Sequence, residues 1–218
     1  MNKGFNKFLA CLLGGLILSA NSSLQAAPNK TEAELIQMLR SGDYHTVNDA
    51  LDRLPHWYPN STNAVEIIRG MLRSNEVLVI TERTYGTAYN GSRTGNVTLK
   101  PYPHTILARM TARSLGNYHA TLNDEELNVI YKLLNSSDED TAMDALKALR
   151  GLNAPQAVPK IIPLLEDHNA HIVRDACRTL AVLGDKNTIP YIEPLTKKFE
   201  SDIRWDALDA IKKLREKL

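Results

Sequence analysis

The sequence predicts an all-α chain folded as a solenoid of stacked helical hairpins, and three observations point there. Between Thr141 and Leu218 four columns return every 31 residues: Thr141, Ile172 and Ile203; Ala145, Ala176 and Ala207; Leu149, Leu180 and Ile211; Leu152, Leu183 and Leu214. Within each unit the offsets 0, 4, 8 and 11 fall on one helix face. A second segment recurs at the same period, where Val158, Pro159, Ile161, Pro163 and Leu164 are matched by Ile189, Pro190, Ile192, Pro194 and Leu195. Two apolar-striped helices per unit make a hairpin, and because one hairpin cannot bury its own stripe, the units must stack.

In chain order, residues 1–26 read as a secretory signal peptide. Lys3 and Lys7 precede an apolar run from Phe8 to Ala20, and Leu24-Gln-Ala26 supplies a small-residue cleavage site. The run is too short for a stable membrane anchor. Cleavage near Ala26 leaves residues 27–218 as a single repeat domain, best defined over 138–218, with a periplasmic address first and release from the cell second. Without Lys3 and Lys7 the chain carries 24 basic and 25 acidic residues, a balance that gives no drive toward nucleic acid. Cys177 is then the sole cysteine, so no intramolecular disulfide forms; it sits in the apolar column of Leu146 and Leu208 and reads as core.

Thr31 and Glu34 suit a capping box opening a short helix through Arg40, ended by Ser41-Gly42-Asp43. Residues 44–54 and 62–73 form the first hairpin, with His56-Trp57-Tyr58-Pro59 in its turn. Residues 104–116 and 124–134 form the next, and Asp138-Glu-Asp140 connects to the well-defined units. Pro159 and Pro190 suit a first helical position, whereas Pro163 and Pro194 should kink the second helix or delay its start. Gly184 suits a helix end that needs a left-handed residue. The charges at Lys212, Lys213, Arg215 and Lys217 suit a solvated C-terminal cap.

Near 76–103 the helical pattern breaks. Gly86, Gly91 and Gly95, with Asn90-Gly91 as a turn signal, sit between β-branched flanks, which predicts a non-helical insert, a β-hairpin or an ordered loop. Inserts in repeat arrays lie on one face, often the binding face.

The run from Ile172 to Pro190, Ile-Val-Arg-Asp-Ala-Cys-Arg-Thr-Leu-Ala-Val-Leu-Gly-Asp-Lys-Asn-Thr-Ile-Pro, resembles the HEAT-like repeat pattern. The resemblance rests on an apolar residue and Arg, spaced small and leucine positions, Leu-Gly-Asp, and Ile-Pro opening the next helix. Asp202 to Leu214 matches its first half. Two departures stand out: Arg174 sits one place later than Arg204 in the aligned columns, and the first unit has Leu-Asn-Ala in place of Leu-Gly-Asp. The resemblance implies that the Arg and Asp residues are structural rungs between hairpins. HEAT-like repeats also occur in bilin-handling enzymes and in iron hydroxylases, and the latter carry His-Glu pairs. No such pair occurs in this chain.

The sequence holds no Gly-x-Ser-x-Gly elbow, phosphate-binding glycine loop or His-Glu-x-x-His helix. His168 and His171 lie in a polar connector without a nearby third ligand, so no catalytic, metal or cofactor residue is assigned. The candidate partner-binding residues are Arg83, Tyr85, Tyr89, Arg93, Lys100 and Tyr102 of the insert, because Tyr and Arg are enriched at interfaces. Lys160 and Tyr191 join them as one column of the second helices, expected on the inner wall. The function expected is an exported scaffold binding another protein or a peptide. The alternative is a bilin-lyase-like, cofactor-handling protein with the insert as a lid.

Overall fold

The computed structural model describes residues 29–74, 79–87, 93–101, 104–197 and 201–217. The expected signal peptide lies outside them, as do Tyr89 and Tyr102. The chain divides into a unit ending at Thr31 and a compact unit from Glu32 to Leu218; everything below concerns the second.

Helices α1 (Glu32–Met38), α2 (Tyr44–Trp57) and α3 (Thr62–Arg73) come first, followed by strands β1 (Val79–Thr87) and β2 (Arg93–Pro101). Then come α4 (His104–Asn117), α5 (Asp124–Leu133), α6 (Glu139–Gly151), the short α7 (Val158–Ile161), α8 (Ala170–Leu183), the short α9 (Ile189–Ile192) and α10 (Ser201–Glu216). Helices α2, α4, α6, α8 and α10 lie side by side in that order as one layer. In the other layer α3 packs on α5, and the turn after α7 packs on α9. Ala145, Ala176 and Ala207 are fully buried between them, as are Leu149 and Leu180. Small side chains at these points let neighbouring helices approach closely while the leucines fill the space beside them.

Caps set most boundaries. Asp43 accepts from the Thr46 N–H at 2.9 Å to open α2, and Gly42 before it has φ +71°. Asn123 and Glu126 form a reciprocal capping box on α5. Helices α4 and α6 end with His119 and Asn153 in left-handed conformation, φ 51° and 49°, each followed by a residue whose N–H reaches back to the leucine carbonyl of the last turn. Helix α1 stops at Met38, short of the expected Arg40, and Leu39 and Arg40 close it with turn hydrogen bonds.

Helix α2 runs past the expected residue 54 to Trp57, with Pro55 inside it. His56 and Trp57 therefore occupy its last turn rather than a loop. A proline there removes the N–H that would bond the Leu51 carbonyl. The Ser114 hydroxyl of α4 donates to that carbonyl at 2.8 Å in a buried setting, so the helix survives its proline.

The second segments of the later units are broken as their prolines require. Each runs from a 3-10 turn (Pro155–Ala157, Lys186–Thr188) through a short α-helix into another 3-10 turn, Ile162–Glu166 or Glu193–Lys197, holding Pro163 or Pro194. Gly184 corrects an expectation: its φ is −77°, not left-handed. Close approach is what demands glycine, since a Cβ there would meet Thr188 Oγ1 at 2.6 Å and the Leu180 carbonyl at 2.7 Å. A tighter approach joins α4 to α6, where a Cβ on Gly151 would lie 2.5 Å from the Gly116 carbonyl oxygen.

The strands pair antiparallel with Arg83 opposite Val97 and Tyr85 opposite Gly95. The helical stack continues across them. Arg69 of α3 donates to both carboxylate oxygens of Glu126 in α5, at 2.9 and 3.0 Å, and Arg113 of α4 donates to Asp52 of α2 at 2.6 Å. Glu126 is fully buried, and burial pushes its carboxyl up. The hydrogen bonds from Arg69 and the Asn123 N–H, with the charges of Arg69 and Arg73, outweigh burial and hold it below its ordinary value.

Candidate interaction surface

The Arg and Asp side chains of the first layer build rungs between consecutive helices. Arg109 of α4 donates through Nε to Asp144 of α6 at 2.8 Å, and Arg174 of α8 does the same to Asp206 of α10 at 2.8 Å. Arg113 and Arg178, one turn later on the same helices, add a second cation to each carboxylate at 3.7 and 3.0 Å. Asp144, Asp175 and Asp206 stand 31 residues apart, so α6 should send the same pair to Asp175. It offers Met143 and Lys147 instead. Asp175 is 4% exposed, its Oδ2 has no partner, and its Oδ1 meets only Arg178 of its own helix at 3.4 Å. These groups organise the stack.

Three margins of the stack are candidates for an interaction surface. The first is the β-ribbon between α3 and α4, where register sets positions 83, 85 and 93 on one face and position 100, opposite Ile80, on the other. Arg83, Tyr85 and Arg93 are thus brought together at register positions that Lys100 does not share. The second is the exposed surface of the second layer, where Lys160 on α7 and Tyr191 on α9 both meet solvent, 31 residues apart. Tyr191 shows 55% of its surface.

The third was not foreseen from the sequence. On α10 Leu208 is 50% exposed and Trp205 72%, although Leu146 and Cys177 in the column of Leu208 are fully buried. Leu208 thus departs from the buried column in which the sequence places it. Lys217, expected in solvent, instead donates to the carbonyls of Val182 and Gly184 and closes the end of α8. A groove of about 550 Å³ runs beside α10, walled by Pro190, Pro194, Leu208 and Ile211 and edged by Glu193, Lys197 and Arg215.

Cys177 lies in the core, and burial, with the charge of Asp206, pushes its thiol up to about 12, which suits packing and not nucleophilic chemistry. His168 and His171 are exposed at the start of α8, and among the described residues no group of His, Cys, Asp and Glu gathers as for a metal ion. Among the described residues no helix is long and apolar enough to cross a membrane.

Comparison with known proteins places this geometry. Residues 126–212 match the family model for HEAT repeats. No curated protein matches the chain in sequence. Among solved structures it is similar to the complex of CpcE and CpcF of phycocyanin lyase from Nostoc sp. PCC7120, with TM-score 0.61 and 21% identity over 90% of this chain and 69% of that one. It is also similar to two engineered proteins. One gives TM-score 0.51 and 18% identity over 84% of this chain and 78% of that one. The other gives 0.50 and 17% over 84% and 47%. At these identities the likeness concerns the fold alone.

Proposed function

We propose that this chain, a HEAT-like repeat protein, works as an exported scaffold that holds another protein or a peptide in the cell envelope and performs no chemical step of its own. The observation that carries this reading is the ribbon of β1 and β2, an added element spliced into a stack whose helices still grip one another across it through Arg69–Glu126 and Arg113–Asp52. An element that the stack does not need is free to serve recognition. Arg83, Tyr85, Tyr89, Arg93, Lys100 and Tyr102 supply its cationic and aromatic contacts, and Lys160 and Tyr191 extend the surface along the second layer. A periplasmic address follows from the basic and apolar start of the sequence, with cleavage near Ala26.

The test replaces residues 83–98 with a short Gly-Ser linker and compares crosslinked partners from the native envelope. Helical content by circular dichroism should be the same in both chains. A partner captured by the intact chain and lost with the linker supports the reading, and one captured equally by both moves the binding to the helical walls. If neither chain captures anything, the scaffold reading falls. The amino terminus of the native protein, read by mass spectrometry, checks the cleavage near Ala26. A second reading, a cofactor-handling protein with the ribbon as a lid, draws on the likeness to a phycocyanin lyase complex. A chromophore retained through purification would favour it, and a spectrum free of visible absorbance would count against it.

A further inference from the structure

We propose that Asp175 is an anchor for an arginine side chain of a partner protein, whose guanidinium completes the rung left open between α6 and α8. The rungs on either side show what fits there. Asp144 Oδ2 accepts from the Arg109 Nε–H of the preceding helix at 2.8 Å, and Asp206 Oδ2 accepts from the Arg174 Nε–H in the same way at 2.8 Å. Each of those carboxylates also meets a cation through Oδ1, Lys147 at 3.5 Å and Arg178 at 3.0 Å respectively. Asp175 keeps the second kind of contact and lacks the first. Its Oδ1 lies 3.4 Å from Arg178, and its buried Oδ2 has no partner. Met143 stands 32 residues before Asp175, as Arg174 stands before Asp206. The position that carries a guanidinium in the next rung therefore carries a thioether in this one.

Charge and shape select the occupant. The cations near this joint are engaged elsewhere, Lys147 with Asp144 of its own helix and the Arg178 Nε with Asp206. A buried carboxylate gains more from a charged donor than from a neutral one. A guanidinium offers the planar fork of N–H groups that both complete rungs use, whereas an ammonium is a strongly hydrated point charge. Among the side chains paired in the rungs the carboxylates outnumber the cations, so the local field attracts a further positive group. Met143 is only half-buried, and its unbranched side chain moves aside without losing a hydrogen bond. This site shares no residue with the ribbon, and it stands or falls independently of it.

The probe is acetyl-arginine amide, which carries the guanidinium on a neutral, peptide-like backbone. Its counterparts are acetyl-citrulline amide, an uncharged isostere, and acetyl-lysine amide. Each is titrated into the isotope-labelled full chain and followed by NMR through the backbone amide shifts. The expected result is saturable shifts centred on Met143, Lys147, His171 and Asp175 with the arginine amide, and binding at least about tenfold weaker for the citrulline and lysine amides. Met143→Arg fills the position from within the chain and should abolish binding. Asp175→Asn should do the same, with circular dichroism unchanged in both variants. The proposal is overturned if the arginine amide gives no saturable shift, if either counterpart binds as well, or if binding survives Met143→Arg. It is also overturned if free arginine binds more tightly than the capped form, because the ligand is then the amino acid itself. Binding that appears only in Lys147→Gln would overturn it too, because the occupant is then the chain's own lysine.

Discussion

Replacing Ser114 with alanine removes one hydroxyl and, in this fold, strands a carbonyl on another helix. Pro55 cannot donate to Leu51, and the Ser114 Oγ at 2.8 Å supplies the hydrogen bond instead, with Leu51 and Ser114 both about 1% exposed. A buried acceptor left without a donor costs about 1–3 kcal/mol, which for a domain of this size lowers the melting temperature by about 2–4 °C per kcal/mol. The decisive measurement is a double-mutant cycle with Pro55→Ala, followed by urea unfolding. Alanine at 55 restores the N–H that the helix lacked, so in that background Ser114→Ala should cost little, and the two changes should couple by about 1–2 kcal/mol. The absolute effect of Pro55→Ala mixes a relieved ring clash with a lost buried contact, but the cycle cancels both. Equal cost of Ser114→Ala in the two backgrounds would refute the reasoning and leave the hydroxyl a bystander.

Three further outcomes follow from the same stack. Met143→Arg should supply the missing rung to Asp175 and raise stability by about 1 kcal/mol, read as a higher urea midpoint; a lower midpoint would mean that Met143 matters more as packing. Gly151→Ala, which on an ordinary helix gains up to about 1 kcal/mol, should instead cost about 1–3 kcal/mol by forcing α4 and α6 apart; calorimetry gives the sign directly. Glu126 is held below the ordinary carboxyl value in the folded chain, so the unfolded chain binds the extra proton. Its contribution is complete above the unfolded range and disappears as pH falls through the folded value. Urea midpoints between neutral and acid pH should therefore fall, and Glu126→Gln should lower the neutral value and flatten that slope.

The helices α6, α8 and α10 were legible because their buried columns repeat at one spacing in the sequence, and a face that must be covered on every unit leaves the same mark on each. Helices α4 and α5 were legible to within a residue for the same reason. What escaped depends on neighbours far along the chain. Pro55 reads locally as a helix stop, and only Ser114, brought alongside by stacking, allows the helix to continue. Gly184 reads as a turn residue, although the space taken by Thr188 is what excludes a side chain. The insert was legible as a break in helical pattern, through its glycines, but not in its strand register. At the candidate surfaces, residue type singled out Arg83 and Tyr85, and a shared column of the second helices singled out Lys160 and Tyr191. The exposure of Leu208 escaped because its column is otherwise buried, at Leu146 and Cys177.

The pairing of Val79 with Pro101 closes the ribbon at its base. Residues opposite one another across antiparallel strands lie about 5 Å apart, so the ribbon begins and ends at almost the same point. Measured from Val79 to Pro101, the excursion has nearly zero length, however many residues it contains. The junction is therefore a port: a longer, shorter or different ribbon can be exchanged there without changing the pitch of the helices on either side. Relatives that keep these helices can then differ freely in what they carry at this one place.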